Sequence, residues 1–156
     1  MSLFRLLFTR RHRAPRPARA PRPVVLCVDD DRDGLTALND VARREPWQVL
    51  SARSAGEALG VIARDEPTVL VTTQRLADGS GVELARKLRA RWPRARCVVI
   101  AMPDQLSAVA GGMQEGSVAR CVLTPWRERE LRVAIRQCLR PESPATTRSA
   151  RAALPA

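Results

Sequence analysis

Short apolar runs alternate with polar segments along most of the chain. Four runs are almost continuously apolar: residues 24–28, 69–71, 97–101 and 121–123. Such runs are typical of strands that are buried on both faces of a parallel sheet. A fifth run, residues 47–51, alternates apolar and polar positions, and this pattern predicts a strand at the edge of the sheet.

Apolar residues between these runs recur at the spacing of an α-helix. The predicted helical stripes are Leu35, Leu38, Val41 and Ala42; Ala55, Ala58, Leu59 and Ile62; Leu84, Ala85 and Leu88; and Leu131, Ala134, Ile135 and Cys138. Two motifs, Ser54-x-x-Glu57 and Ser80-x-x-Glu83, match the capping box. They predict the starts of the second and third helices.

One more helix and the start of the last helix are predicted from weaker signals. Residues 104–115 form the additional helix, which is less regular because Gly111 and Gly112 interrupt the helical pattern. The last helix is predicted to begin at Thr124-Pro125, with Thr as the cap and Pro at the first helical position. Five strands alternating with helices predict an α/β fold of three layers, a doubly wound five-stranded parallel sheet.

Composition divides the chain into three parts. Residues 1–23 are rich in Arg and Pro, which predicts a tail that is disordered or weakly amphipathic. We weigh a solvated tail against one that touches a membrane surface or a partner, since a short helix would align Leu3, Phe4, Leu7 and Phe8. Residues 24–140 form the predicted globular domain, and residues 141–156 form a disordered C-terminal tail.

The net charge of +11 is unevenly distributed along the chain. Residues 1–23 carry +7, whereas the body, residues 24–139, carries 17 basic and 15 acidic side chains. Because the body is nearly neutral, its total charge does not indicate a nucleic-acid-binding domain. No apolar run is long enough to span a bilayer, so an integral membrane protein is not predicted.

The cysteines and the single histidine, His12, offer neither a metal cluster nor a catalytic pair. The four cysteines are far apart and form no C-x-x-C motif: Cys27, Cys97, Cys121 and Cys138. His12 lies in the basic tail, so histidine-based catalysis is not predicted. Buried, reduced thiols are the expected state, and they favour a cytoplasmic location.

Candidate chemistry lies at the carboxyl ends of the predicted strands, where doubly wound sheets bind their ligands. Asp29 and Asp30 follow the first strand. Adjacent carboxylates suit a hard divalent cation such as Mg²⁺, and we favour this interpretation for the pair. The structural alternative is that Asp31 or Asp33 caps the following helix.

Motifs in this order and spacing resemble the receiver domain of bacterial two-component response regulators. The matching segments are residues 24–30 (VVLCVDD), residues 75–84 (RLADGSGVEL), Gly116-Ser117 and Leu123-Thr124-Pro125-Trp126. The resemblance covers about residues 23–140. It implies a flavodoxin-like sheet with strand order 2-1-3-4-5 and a cis Thr124–Pro125 bond.

The chain departs from the resemblance at four positions of the family's switch. The phosphoacceptor Asp corresponds to Thr73, the hydroxyl residue that binds the phosphoryl group to Ala101, and the phosphate-pairing Lys to Thr124. The aromatic residue that reports phosphorylation corresponds to Cys121. An unactivated Thr hydroxyl is a far weaker nucleophile than an ionised carboxylate. We therefore predict a pseudo-receiver that is not an enzyme and requires no cofactor, with at most weak Mg²⁺ binding by the acidic pair.

These expectations together predict a stand-alone signalling module that binds other proteins without phosphorylation. The resemblance implies as partners a histidine kinase, an effector or a second copy, held by the face of the last strand and last two helices. Charged residues of the last helix are expected to line this face: Arg127, Glu128, Glu130, Arg132 and Arg136. The alternative function is an adaptor that residues 1–23 tether to an anionic membrane surface or to nucleic acid.

Overall fold

A computed structural model describes residues 20–141, and it has one five-stranded parallel sheet. The strands are β1 (Val24–Val28), β2 (Gln48–Ala52), β3 (Val69–Thr73), β4 (Arg96–Ala101) and β5 (Arg120–Leu123). The helices are α1 (Arg32–Arg43), α2 (Ala55–Arg64), α3 (Gly81–Arg91), α4 (Leu106–Gln114) and α5 (Glu128–Leu139). The strand order is β2-β1-β3-β4-β5, which confirms the predicted doubly wound α/β fold.

The sheet separates two apolar clusters, one on each face. Successive side chains of a strand point to opposite faces, so Leu26 and Val28 join the cluster under α2, α3 and α4. Val25 and Cys27 join the cluster under α1 and α5. The body has no Phe or Tyr, and Leu, Val, Ile and Ala fill most of both clusters. This packing buries the central strands on both sides, as their apolar runs predict.

The predicted helix starts are confirmed at α2 and α3. The Ser54 hydroxyl accepts a hydrogen bond from the Glu57 N–H at 3.0 Å, and Ser80 accepts one from the Glu83 N–H at 3.3 Å. The return bond of the first box differs from the prediction, because the Glu57 carboxylate accepts from the N–H of Arg53 at 2.8 Å. Each helix nevertheless begins where its Ser residue satisfies a free amide.

The last helix begins later than predicted. Thr124 still donates its N–H to the Ala101 carbonyl at 2.9 Å, so the sheet pairing continues past β5. Arg127 keeps an extended backbone and is the N-cap, which makes Glu128 the first helical residue. Pro125 is therefore a loop residue, and its bond to Thr124 is cis, as the resemblance implies.

Two other details depart from the sequence pattern. The weakest predicted helix is divided into a 3₁₀ turn, Pro103–Gln105, and the short α4. After β3, Arg75–Leu76 pairs antiparallel with Gly79–Ser80 in a small hairpin that the sequence pattern did not predict. None of the helices within residues 20–141 is long and apolar enough to cross a membrane.

Candidate functional site

The sheet brings the predicted site residues to one edge. Register pairs Val28 with Thr72 across β1 and β3, and Ala101 with Leu123 across β4 and β5. The carboxyl ends of these strands therefore lie side by side. We call the residues gathered there the strand-end site: Asp29, Asp30, Thr73, Ala101 and Thr124.

Asp29 is the buried member of the acidic pair, with 8% of its surface exposed. Its carboxylate accepts the N–H of Asp31 at 2.9 Å. It also lies against Gly34 in α1, where a Cβ would come within 2.3 Å of Asp29 Oδ2. Burial raises the pKa of Asp29; the Asp31 N–H opposes this, and the neighbouring Asp30 carboxylate adds to it. Asp29 is thus packed against the first turn of α1.

Asp30 holds two loops together. Its Oδ2 accepts the N–H of Ala77 in the hairpin after β3 at 2.8 Å, although Asp30 itself is exposed. Asp31 has the capping role that we weighed as an alternative, because it accepts the N–H of Gly34 at 2.7 Å. The acidic run after β1 therefore has structural tasks at each of its three residues.

The Thr73 hydroxyl is directed at the backbone. It donates a hydrogen bond to the carbonyl of Arg75 at 3.2 Å. The preceding residue, Thr72, is fully buried and donates to the carbonyl of Thr73 at 3.0 Å. Both hydroxyls donate to backbone carbonyls, so these bonds do not activate either one as a nucleophile.

The remaining switch positions carry no charge. Ala101 is buried at the end of β4, and Thr124 is half-buried. Cys121 is also half-buried, and burial raises the pKa of its thiol. None of these three positions supplies the cation that would stabilise a bound phosphoryl group.

A magnesium ion does not fit the donor set of the strand-end site. Within residues 20–141 there is no group of three or more His, Cys, Asp and Glu side chains that could hold a metal ion. Both carboxylates of the pair already accept backbone N–H groups, and the third position is the hydroxyl of Thr73. Mg²⁺ keeps several waters and is bound in octahedral geometry through one or two carboxylates, and here both carboxylates of the pair are engaged by backbone N–H groups with no third carboxylate beside them.

The contacts of three residues near the site were missed by sequence reasoning. Asp78 accepts the N–H groups of Ala55 and Gly56 at 2.8 and 2.9 Å. These bonds lower its pKa and join the hairpin to the start of α2. Buried Gln74 accepts the N–H of Val82 at 3.2 Å in the first turn of α3.

Gly81 is the third of these residues, and its role is steric: it allows a close approach between α3 and β3. A Cβ there would lie 2.6 Å from the carbonyl oxygen of Thr73. Its N–H donates to the carbonyl of Gln74 at 2.9 Å, so α3 begins directly against the end of β3. The Asp-Gly-Ser-Gly sequence signals a turn, but it does not identify partners that are distant in sequence.

The charged residues of α5 do not form the single face that the sequence predicts. Glu128, Arg132 and Arg136 lie on the flank toward α1, because residues four apart share one side of a helix. Arg44 contacts Glu128 at 2.6 Å, and Arg136 pairs with Glu45. Arg132 contacts Glu128 at 3.5 Å.

The opposite flank of α5 borders β5. We call it the β5–α5 face, and its residues line an open depression of about 550 Å³: Cys121, Leu123, Pro125, Glu130, Val133 and Gln137. Leu123 and Val133 are large apolar residues that are 40% and 42% exposed. Of the predicted interaction residues, only Glu130 lines this depression, which is more apolar than expected.

Residues 25–136 match the family model of the response regulator receiver domain. The chain is similar to the hydrogenase transcriptional regulatory protein HoxA of Cupriavidus necator, at 31% identity over 118 residues, which are 74% of this chain and 24% of HoxA. It is similar to response regulator MprA of Mycobacterium leprae, at 30% identity over 120 residues, 77% of this chain and 52% of MprA. The chain thus spans about a quarter to a half of these two relatives.

Solved structures share the fold. The signal receiver domain of an HD domain-containing protein from Pseudomonas fluorescens Pf-5 superposes with a TM-score of 0.70 at 27% identity. The match covers 76% of this chain and 94% of that chain. A receiver domain protein from Clostridium thermocellum gives a TM-score of 0.71 at 20% identity, with 75% and 94% covered.

Proposed function

This chain belongs to the response regulator receiver domain family, and we propose that it acts in two-component signalling as a receiver that phosphorylation does not switch. The observation that carries the proposal is the residue at the end of β3. Thr73 stands where the resemblance implies a phosphoacceptor Asp, and its hydroxyl donates to the Arg75 carbonyl.

The chemistry of phosphoryl transfer supports this proposal. An acceptor carboxylate is ionised at neutral pH and attacks phosphorus directly, whereas a Thr hydroxyl needs a general base. Asp29 is a poor candidate for that base, because its carboxylate is buried against α1 and accepts the Asp31 N–H. The site also lacks a Lys, since Thr124 occupies the position that the resemblance assigns to it.

We further propose that the module binds a signalling protein, a histidine kinase or an effector, through the β5–α5 face. Exposed Leu123 and Val133 give this face the apolar area that a protein partner would cover. Such binding would be constitutive, because a receiver without a phosphorylated state has no second state for a ligand to select.

Amide NMR of the full chain tests the proposal in two additions, Mg²⁺ and then acetyl phosphate. We expect no shift at the strand-end site in either step. The matched variant restores the three positions together: Thr73→Asp, Ala101→Thr and Thr124→Lys. We expect this variant to show Mg²⁺-dependent shifts. Wild-type shifts that require acetyl phosphate and disappear in Thr73→Val would overturn the proposal.

A second candidate function rests on the charge of residues 1–23. This segment carries seven Arg and no acidic residue, which favours a tether to an anionic surface. Residues 1–19 lie outside the described part of the chain, so the tether stays a prediction. Deleting residues 1–19 should reduce binding to anionic vesicles or to DNA, and binding that persists unchanged would contradict it.

A further inference from the structure

β5 is an edge strand of the sheet. The strand order ends at β5, and among the strands of residues 20–141 it pairs with β4 alone. The N–H and C=O groups of alternate strand residues point to opposite sides, so some of those in β5 are directed away from β4. A strand edge with outward backbone groups is a template onto which another extended chain can add.

The pairing of β5 identifies its outward groups. Ala101 is in register with Leu123 and accepts the N–H of the next residue, Thr124, at 2.9 Å. Because the direction alternates along the strand, Val122 also bonds toward β4. Cys121 and Leu123 therefore direct their N–H and C=O groups away from the sheet.

The outward stretch is short and has a defined start. Ala119 also donates its N–H to β4, at the carbonyl of Cys97. Thr124 lies an odd number of residues further on, so the alternation is interrupted once between them. The register is constant from Arg120 to Leu123, which places the interruption before the strand. The edge that can accept another strand thus follows Arg120.

Apolar side chains flank this edge on both faces. Cys121 packs against the cluster under α2, α3 and α4, and Leu123, two residues on, points to the same face. Val133 of α5 lies on the other face, and all three residues line the depression of about 550 Å³. An added strand would therefore bury one side chain beside Leu123 and the next beside Val133.

Opposite charges mark the two ends of the depression. Exposed Arg120 begins β5, and it donates to Gln137 in the last turn of α5 at 3.0 Å. Exposed Glu130 lies in the first turn of α5, at the end where β5 finishes. A segment that runs antiparallel to β5, with a basic residue first and an acidic residue last, would place an opposite charge at each end.

We propose that the β5 edge binds an extended segment of a partner protein as a sixth, antiparallel strand, a mode of binding that rests on the β5–α5 face proposed above. The outward groups of Cys121 and Leu123 favour a strand over a helix as the occupant. A helix bonds its own N–H and C=O groups internally and would leave those of the edge without partners. The antiparallel direction is favoured because its pairing is the more stable per residue.

Amide NMR titration of the full chain with a designed peptide tests the proposal. The probe is acetyl-Lys-Thr-Val-Val-Thr-Glu-amide, in which the adjacent Val side chains point to opposite faces of a strand. Two N-methylated forms are the matched probes. One carries methyl groups on its first, third and fifth residues, and the other on its second, fourth and sixth. Only the form whose methyl groups face β5 loses the N–H donors that pair with it.

We expect the unmethylated peptide at millimolar concentration to shift the amide signals of Cys121 and Leu123. One N-methylated form should bind at least about tenfold more weakly, because several hydrogen bonds are lost together. The other should stay within about threefold of the unmethylated peptide. Equal binding of the two forms would overturn the added strand, since pairing uses alternate N–H groups only. The absence of shifts in β5 would overturn it as well.

Substitutions in the chain give a second measurement. Cys121→Pro removes one outward N–H without removing a bond to β4, and Cys121→Ala is its matched control. We expect Cys121→Pro to weaken peptide binding about fivefold and Cys121→Ala to change it by less than about twofold. Glu130→Gln should weaken it by up to about fivefold, because one exposed charge pair is lost. Thermal melting verifies that the variants are folded, and the methylated peptides decide the matter if Cys121→Pro is not.

The outcomes separate this proposal from the others. Concentration-dependent shifts of Cys121 and Leu123 without peptide would overturn it in favour of a second copy at the edge. Peptide-induced shifts confined to other surfaces would overturn both the added strand and the β5–α5 face. Acetyl phosphate is absent from every titration, so no result here depends on phosphodonor chemistry at Thr73.

Discussion

Asp29 and Asp78 are carboxylates on neighbouring loops, and the fold shifts their pKa values in opposite directions. Burial raises the pKa of Asp29, whereas hydrogen bonds from Gly56 and Ala55 lower the pKa of exposed Asp78. The folded state therefore disfavours the charge of one and favours that of the other. We therefore expect the charge of Asp29 to weaken the fold at neutral pH and the charge of Asp78 to support it.

Replacing Asp29→Asn should raise the free energy of unfolding at pH 7. Because the folded pKa of Asp29 is raised, the stability of the wild type falls as pH rises through a window that begins near the ordinary value of 3.8. The neutral amide avoids this cost and can still accept the Asp31 N–H. We expect a gain of about 1 kcal/mol, or roughly 3–6 °C in Tm.

Thermal melts between pH 4.5 and 7.5 measure the effect of Asp29→Asn. The difference from wild type should shrink as the pH is lowered. The matched control is Asp30→Asn, because Asp30 is exposed and its amide would keep the acceptor for Ala77. A destabilised Asp29→Asn at pH 7 would contradict the prediction that the charge of Asp29 weakens the fold.

At the scale of elements, α3 is fixed against β3 by a close backbone approach. Gly81 begins the helix where any Cβ would meet the Thr73 carbonyl oxygen, and buried Gln74 accepts the N–H of Val82 in the first turn. On the other face, α5 is joined to the end of α1 through Arg44 and Glu128. Local contacts between elements thus set where each helix lies on the sheet.

Two glycine substitutions should have opposite effects on stability. Gly81→Ala should lower the free energy of unfolding by about 1–3 kcal/mol, because the new methyl overlaps backbone that cannot move freely. Gly60→Ala in α2 should raise it by up to about 1 kcal/mol, because nothing lies within 4 Å of its Cβ and Ala favours the helix. Urea unfolding of both variants measures the difference, and equal stabilities would contradict the close approach.

At the scale of the whole molecule, the domain buries most of its thiols. Cys27 and Cys97 lie fully buried on opposite sides of the sheet, and burial raises the pKa of Cys27 to about 12. The folded state holds the Cys27 proton more tightly than the unfolded chain does. The stability from this group is therefore present below the ordinary pKa of 9.0 and is lost as pH rises toward about 12.

Native alkylation at pH 8 should distinguish the four cysteines. We expect Cys121 to react first, because it is half-buried, while Cys27, Cys97 and Cys138 are buried. Intact mass after iodoacetamide treatment should show one rapid modification, and four in 8 M urea. Rapid modification of Cys27 or Cys97 without denaturant would mean that the central strands open readily.

Most of the fold could be predicted from the sequence, because strand and helix periods are local. The continuous apolar run of β1 and the Ser54 cap of α2 each depend on residues close together in the chain. The start of α5 could not be predicted in the same way. Its delay depends on the Thr124 N–H, which bonds to Ala101 on another strand.

The candidate site was predictable in its residues but not in its contacts. Asp29, Thr73 and Ala101 could be placed at one edge, because parallel strands end together. The bond from Ala77 to Asp30 and the bonds from α2 to Asp78 join residues that are distant in sequence, so no local pattern reports them.

The sequence by itself determined the strand and helix types, their order and the identity of Thr73 at the end of β3, since periodicity and residue identity are properties of the chain. Only the tertiary structure decided which side chains share a surface. Folding divided the charged residues of α5 between a flank paired with α1 and the β5–α5 face. The physical reason is that electrostatic and apolar contacts act through space, and spatial neighbours are assigned by the order of the strands.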